Sequence, residues 1–406
     1  MHADTEVLVI GAGPAGAAAA AELAGAGVDV ILADRHTFPR DKICGDALIP
    51  DSAQALTELG LSARIAALAA PAEGLELHAP AGDGVYLPVP VACLPRRRLD
   101  AELVAQACER GARLRVPWQF TRLLHEHGEI CGAEFRPGAG TAAASGDAEL
   151  EIRARWLLLA TGANAAALSA AGTCTRKQPS AIAARAYFRL APGRRCERLY
   201  MLMEPKLQPG YGWIFPCPGG TVNVGWIYFY DNPRLPAEQN VRRLFERFCR
   251  TSAIARHMLD GAAMLDDVQG APLRCGLTGA TLGSERLLVL GEAAGTTYSF
   301  SGEGIGKALE SGGLAARSVL AARRCGRPAS AGANYAQQME ARYRARYLAY
   351  KRAQTWLARA PIANLIARRA RPGGYISHTL QAVLEERAGP DALLSLRGML
   401  QALVRH

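Results

Sequence analysis

Three glycines, Gly11, Gly13 and Gly16, with Asp34 a short way downstream, are the residues whose types and spacing most directly imply chemistry. Gly11 allows a tight turn, Gly13 lets a pyrophosphate approach the backbone, and Gly16 lets a helix pack closely on a strand. Pro14 and Ala15 complete the loop. A helix starting there offers unpaired N–H groups and a partial positive charge to a phosphate. An acid at position 34 would take the ribose hydroxyls of an adenosine. The chemistry is capture of a dinucleotide, and this motif alone does not separate NAD from FAD.

The elements needed to hold those residues are present in order. Val7, Leu8, Val9 and Ile10 form an apolar run that reads as a strand buried on both faces. An alanine-rich helix follows the glycines, and a second apolar run from Val28 to Leu32 ends at Asp34. Far downstream, residues 286–316 repeat the plan. Leu287 to Leu290 read as a buried strand and Gly291 to Gly295 as a turn. Gly302, Gly304 and Gly306 then open a long helix, with Ile305 among them. Such a helix N-terminus carries positive potential.

Composition narrows the field. The chain has 406 residues, half of them hydrophobic, which is enough for two or three domains. Charged residues at 21% and aromatics at 6% argue against disorder and against an aromatic nucleic-acid platform. The ten cysteines form no CxxC pairs and the eight histidines are dispersed, so no metal site is expected. The N-terminus enters the first apolar run almost at once and no apolar segment approaches a membrane span, so a cytoplasmic protein with reduced thiols is expected. The net charge of +10 is concentrated after Ala316, as in 341–354 and 367–371. An anionic membrane surface, an acidic substrate or a solvated helix face would each account for it. Nucleic acid would account for it too, but no nucleic-acid motif accompanies the charge, so no nucleic-acid partner is expected.

Between the two glycine segments the chain changes character. Residues 35–50, RHTFPRDKICGDALIP, bring Arg35, Arg40 and Lys42 close to where a dinucleotide would lie, then Cys44 and Gly45. Residues 74–92 read as short antiparallel strands, and residues 96–109 as a helix with Leu99, Leu103, Val104 and Ala107 inward. The stretch 137–146 reads as a hairpin tip, and a hydrophobic strand leads to Ala160, Thr161 and Gly162. Residues 184–190 alternate as a strand, and 210–230 read as a hairpin turning at Gly219-Gly220. Tyr211, Trp213, Phe215 and Trp226 would project an apolar surface from it, either a sheet packing on its own core or the wall of a ligand cavity. Asn223 would be a polar group within that wall. The remainder is helical, broken at Pro328, Pro361, Pro372 and Pro390. Tyr335, Tyr343, Tyr347 and Tyr350 there would cap a tunnel or pack as a helical cap.

Several of these stretches resemble the geranylgeranyl reductase family of flavoproteins, within the group that shares the p-hydroxybenzoate hydroxylase fold and includes flavin halogenases. FPRDKICG resembles that family's FPRxKxCG, Arg96 with Leu99 and Asp100 its RxxLD, YGWIFP with NVG its YxWxFP and NxG, and GEAAGTTYSFSGEGI its GDAAGxxxPxxGEGI. The resemblance implies FAD, with Cys44 beside the flavin ring and Arg96 in contact with the cofactor. It implies Gly291 and Glu292 at the ribityl chain, and Gly302, Gly304 and Ile305 closing over the ring. Three departures stand out. Glu292 replaces Asp and Ser299 replaces a Pro next to the ring. Thr161 stands where aromatic hydroxylases carry an Asp, which weakens a hydroxylase reading.

The expected fold class is α/β with an α+β substrate domain. A discontinuous Rossmann-like FAD-binding domain (1–72, 96–170 and 276–320) would hold the cofactor beside an antiparallel-sheet substrate domain (73–95 and 171–275) and a helical region (321–406). The resemblance implies an FAD-dependent reductase or dehydrogenase of a carbon–carbon double bond in an apolar, prenyl-like substrate. Tyr211, Trp213 and Phe215 would orient that substrate, and Cys44, Tyr211 or water would supply a proton. An oxygen-using monooxygenase or halogenase of the same fold is the alternative. The electron donor, NAD(P)H or a reduced carrier, stays open, as does peripheral contact of the basic C-terminal region with a membrane.

Overall fold

The computed structural model describes residues 4–138, 149–176, 178–230 and 240–394. Strand Thr5–Ile10, apolar and buried from Val7 to Ile10, takes the centre of the first sheet. It pairs in parallel with Val30–Ala33 on one side (Val7 opposite Val30) and with Leu150–Leu159 on the other (Val7 opposite Trp156). Leu287–Val289 extends the sheet in parallel beyond Leu157, and Arg113–Arg115 closes the other edge. Near-continuous apolar runs are what parallel strands covered on both faces require. An antiparallel pair, Trp118–Glu126 and Glu129–Pro137, joins through Leu150–Leu159. The hairpin tip expected at 137–146 falls almost wholly outside the described residues.

Helices Pro14–Gly25 and Ile305–Arg324 pack against each other on this sheet. Their backbones approach so closely that a Cβ on Gly312 would lie 2.3 Å from the Ala15 carbonyl oxygen. Small residues are therefore required at this contact, which is where the alanine-rich helix after the first glycines finds its physical cause.

The second sheet is built round strands Ala181–Arg189, Thr221–Phe229, Gly210–Cys217 and Leu199–Leu202, in that order, with Leu75–His78 and Gly84–Leu87 beyond. The hairpin turns through Gly219 and Gly220, both at positive φ (76° and 69°). Two expectations need correction. The sheet is mixed, because Leu199–Leu202 runs parallel to Leu75–His78. Strand Val91–Cys93 leaves this sheet and pairs with Ala47–Leu48 and Ala70–Ala72 in a small third sheet.

Beyond Arg324 come helices Ser330–Leu357, Ala360–Arg369, Tyr375–Leu384 and Asp391–Leu394. The four tyrosines of the first of these are buried. Tyr335 donates to the Val289 carbonyl and Tyr347 to that of Thr296, while Tyr350 stacks on Tyr298 at 4.0 Å. They pack as a helical cap and line no tunnel.

Candidate active site

A cavity of about 330 Å³ runs from the first glycine loop, between the two large sheets, to the aromatic face of the second. All the candidate residues of the glycine loops, the 35–45 segment, position 96 and positions 160–162 line it, with the exception of Gly16. Gly16 is instead structural, since a Cβ there would lie 1.8 Å from the Gly11 carbonyl oxygen. Gly11 itself holds φ +105°, and a Cβ on it would meet the Ala160 carbonyl oxygen at 2.3 Å. The turn can close against the end of the neighbouring strand only with glycine in that place.

Gly13 differs from both. The nearest atoms to a Cβ there are guanidinium nitrogens of Arg40 at 3.8 Å and Arg96 at 4.0 Å. The protein's own packing leaves this position open to the cavity, as approach of a ligand phosphate would need. Arg96 holds Asp100 through two bonds (2.7 and 2.8 Å), and Arg40 pairs with the same carboxylate at 2.9 Å. Two guanidiniums share one buried carboxylate, so a net positive charge faces Gly13. One Arg40 nitrogen, Nη1, is buried with no hydrogen-bond partner among the described residues. A buried donor without a partner is costly unless a ligand meets it. An anion such as a pyrophosphate fits this cradle.

Asp34 accepts from the backbone N–H of Ala12 (2.8 Å) and of His36 (2.9 Å), which fixes its carboxylate beside the first glycine loop. Arg35, Lys42, Ala160 and Gly162 line the same passage. The Thr161 hydroxyl is buried without a partner among the described residues, a second orphaned polar group facing the ligand space. Glu292 accepts from the Arg274 N–H at 3.3 Å, and Gly291, Gly302, Gly304 and Ile305 border the cavity at the start of the long helix. Ser299 is buried outside the lining. Its hydroxyl lies on the Gly276 side, so it is not the cavity contact that its place in the motif suggested.

The aromatic wall follows from strand alternation. Tyr211, Trp213 and Phe215 share the cavity face, opposite Ile227, Gly225 and Asn223 respectively. The Tyr211 hydroxyl donates to the Ser301 carbonyl oxygen, joining the wall to the second glycine segment. Trp226 corrects the sequence reading. It stands one residue out of phase, opposite Gly212, and packs on Phe248 at 5.4 Å on the other face of the sheet.

Asn223 also corrects it, because the residue lies behind the wall and touches no ligand space. Its Oδ1 accepts from Trp213 Nε1 at 2.9 Å, and its Nδ2 donates to the Cys44 carbonyl and to Asp46 Oδ2, both at 2.8 Å. Asp46, at φ +65° and fully buried, also accepts from Tyr187 OH and from the Arg96 N–H (3.1 Å). Burial pushes its carboxyl up to about 6, against the pull of the Tyr187 and Asn223 hydrogen bonds. Arg185 reaches Asp41 and Asp266 and stacks over the Tyr187 ring at 4.3 Å. This bracket clamps the Cys44 loop to the second sheet. The sequence reading missed Asp46, Tyr187 and Arg185, whose partners lie far away in the chain and carry no spacing signal. Burial raises the Cys44 thiol and the Tyr211 phenol alike, so both stay protonated at neutral pH.

A family model described as FAD binding domain matches residues 4–264. The menaquinone reductase of Mycobacterium tuberculosis is 30% identical over 322 residues, covering 77% of this chain and 75% of that protein. Digeranylgeranylglycerophospholipid reductase 1 of Methanopyrus kandleri is 29% identical over 315 residues, 76% of this chain and 79% of its own. Among solved structures, a geranylgeranyl bacteriochlorophyll reductase-like protein from Thermoplasma acidophilum superposes with a TM-score of 0.75 at 19% identity, covering 98% and 95% of the two chains. A flavin-dependent brominase gives 0.64 at 19%, covering 98% and 92%. At these identities the two structures speak for the fold alone.

Proposed function

The chain belongs to the FAD binding domain family and is an FAD-dependent oxidoreductase, and on that premise we propose that it reduces a carbon–carbon double bond in a long apolar, prenyl-type substrate. The carrying observation is the continuity of one cavity, from the cationic cradle at Gly13 to an aromatic and aliphatic wall. Past Tyr211, Trp213 and Phe215 the lining is Leu75, Ala183, Leu199, Met201, Leu273 and Leu384. A chain of isoprene units would be solvated there by side chains alone. The named activities of the curated relatives support the same substrate class.

FAD, when bound and reduced, would supply a hydride from its N5. The residues of this chain do the rest. Gly11, Gly13, Arg40 and Arg96 receive the pyrophosphate, Asp34 the ribose, and Glu292 with the start of helix Ile305–Arg324 the far end of the molecule. Tyr211, Trp213 and Phe215 exclude water and orient the double bond. Cys44, held in place by Asp46 and Asn223, lines the same space. The Tyr211 hydroxyl is committed to Ser301, so its part is to position rather than to donate.

The basic C-terminal helices belong to this reading. Leu348, Trp356 and Leu365 are exposed beside Lys351, Arg352, Arg359 and Arg369, a pairing suited to an anionic bilayer that stores such substrates. Among the described residues no helix is long and apolar enough to cross a membrane. The test is anaerobic. Protein reduced with dithionite should be reoxidised by a geranylgeranylated glycerolipid, which should lose double bonds as judged by mass spectrometry. Reoxidation by oxygen alone, with or without halide, would instead identify an oxygenase or halogenase.

A further inference from the structure

The first turn of helix Ile305–Arg324 carries a lysine that the cavity never sees. Lys307 is 2% exposed, and its Nζ lies 2.5 Å from Glu310, 2.8 Å from Glu386 and 3.8 Å from Asp51. A fourth carboxyl, Glu303, accepts from the Gly306 N–H at 2.8 Å. Gly306 separates it from Asp51, since a Cβ there would sit 2.5 Å from Asp51 Oδ2. That oxygen is buried with no hydrogen-bond partner among the described residues. Arg346, 3.3 Å from Glu386, adds the second cation, and Tyr298, Tyr343 and Tyr350 fill the remaining sides.

Four carboxyls therefore face two cations in a buried space. Two negative charges in excess cannot all stay ionised there, so the cluster holds protons. Burial raises Asp51 well above the ordinary carboxylate range, with Glu303 adding to it, and pushes Glu303 up to about 7. Of the four, only Glu303 lines the cavity.

We propose that Glu303 is the proton donor of the reduction, held protonated beside the buried carboxyl cluster round Lys307. This rests on the reductase reading. The π bond of the substrate breaks, one carbon receives hydride from the reduced flavin, and the other receives the Glu303 proton. The carboxyl O–H bond breaks as the new C–H bond forms. The carboxylate left behind is met by the Gly306 N–H, the helix N-terminus and Lys307, and it recovers a proton from its neighbours. The two electrons are restored by an external nicotinamide or reduced carrier. A phenolate at Tyr211, whose hydroxyl donates to the Ser301 carbonyl and whose charged neighbours all raise it, would have no such reception.

The test compares the holoenzyme with E303Q, E303D and D51N. The side-chain amide introduced by E303Q can still accept from the Gly306 N–H, so this variant should fold and stay yellow, as circular dichroism and flavin absorbance would record. In infrared spectra of the oxidised holoenzyme, a carboxylic-acid C=O band sensitive to deuterium exchange should weaken in E303Q and in D51N. In anaerobic single turnover with a geranylgeranylated glycerolipid, which has no reducible group but its double bonds, E303Q should reoxidise on the order of 100-fold more slowly, with E303D recovering part of the rate. The wild-type rate should fall above about pH 7, and that fall should vanish in E303Q. An E303Q protein within about threefold of wild type with the same pH profile overturns the donor role, as does an infrared band untouched by both substitutions. If wild type itself is not reoxidised by the glycerolipid, the reductase reading fails, and the donor role with it.

Discussion

Gly225→Ala tests how the aromatic wall is held. Gly225 faces Trp213 across the hairpin, and a Cβ there would lie 2.0 Å from Trp213 Cζ2 and 2.4 Å from Cε2. No rotamer adjustment of the methyl can relieve this, because it is fixed to the backbone. The indole must swing out of the wall into the cavity and give up its 2.9 Å bond to Asn223. Overpacking of this kind costs ~1–3 kcal/mol. The lost hydrogen bond leaves Asn223 Oδ1 buried and unmet, for ~1–3 kcal/mol more. A total of ~2–6 kcal/mol is offset by only ~0.5–1 kcal/mol from replacing glycine within a strand. A double-mutant cycle isolates the cause. In a Trp213→Ala background the same Gly225→Ala change should cost close to nothing. Urea denaturation followed by far-UV circular dichroism gives the four stabilities, and titration with FAD and substrate gives occupancy. An equal cost of Gly225→Ala in both backgrounds would refute the clash as the reason for the glycine.

Two further outcomes follow from neighbouring residues. The Asp46 carboxyl is raised from 3.8 to about 6, so the native state keeps this proton over a range where the unfolded chain has lost it. Its contribution is present below pH 3.8 and is lost as pH rises through about 6, ~3 kcal/mol in all; Asp46→Asn should flatten the stability curve by that amount, measured as urea midpoints from about pH 4 to 7. Trp226→Ala should cost ~3–5 kcal/mol through the cavity it leaves against Phe248, yet preserve substrate affinity, whereas Trp213→Ala should lose affinity first. Parallel binding and denaturation curves on the two variants distinguish the faces of the sheet.

The contrast between Trp213 and Trp226 also shows how far the sequence was legible. The first glycine loop, the strand before it and the helix after it are local structures, and backbone chemistry fixes them within about thirty residues. The second glycine segment is legible for the same reason. Which aromatics face the ligand depends on strand register, and a shift of one residue exchanges the faces. Trp226 and Trp213 differ by such a shift, since the hairpin pairs odd with odd across the strands. Composition carries no trace of it. Leu75–His78 joins the second sheet in parallel to Leu199–Leu202, far downstream in the chain, and that pairing has no local signature either.

The same reasoning explains why Asp46 was invisible and why it matters. Its neighbours in sequence, Cys44 and Gly45, belong to a recognisable motif, while its partners Tyr187 and Asn223 come from two strands of another sheet. A residue at φ +65° is strained unless its surroundings hold it, and three donors converging on one carboxylate do so here. Asp46 thereby transmits the position of the second sheet to the loop that carries Cys44. Arg185 reinforces the link through Asp41, earlier in the same loop. The Cys44 loop and the aromatic wall are thus one mechanical unit, joined by buried hydrogen bonds. Tyr187→Phe, which removes a donor without changing the ring, should loosen that unit. Asp46 would become harder to ionise, and the stability transition described above should move to higher pH. An unchanged transition in Tyr187→Phe would mean that Asn223 and the Arg96 N–H alone fix the carboxylate.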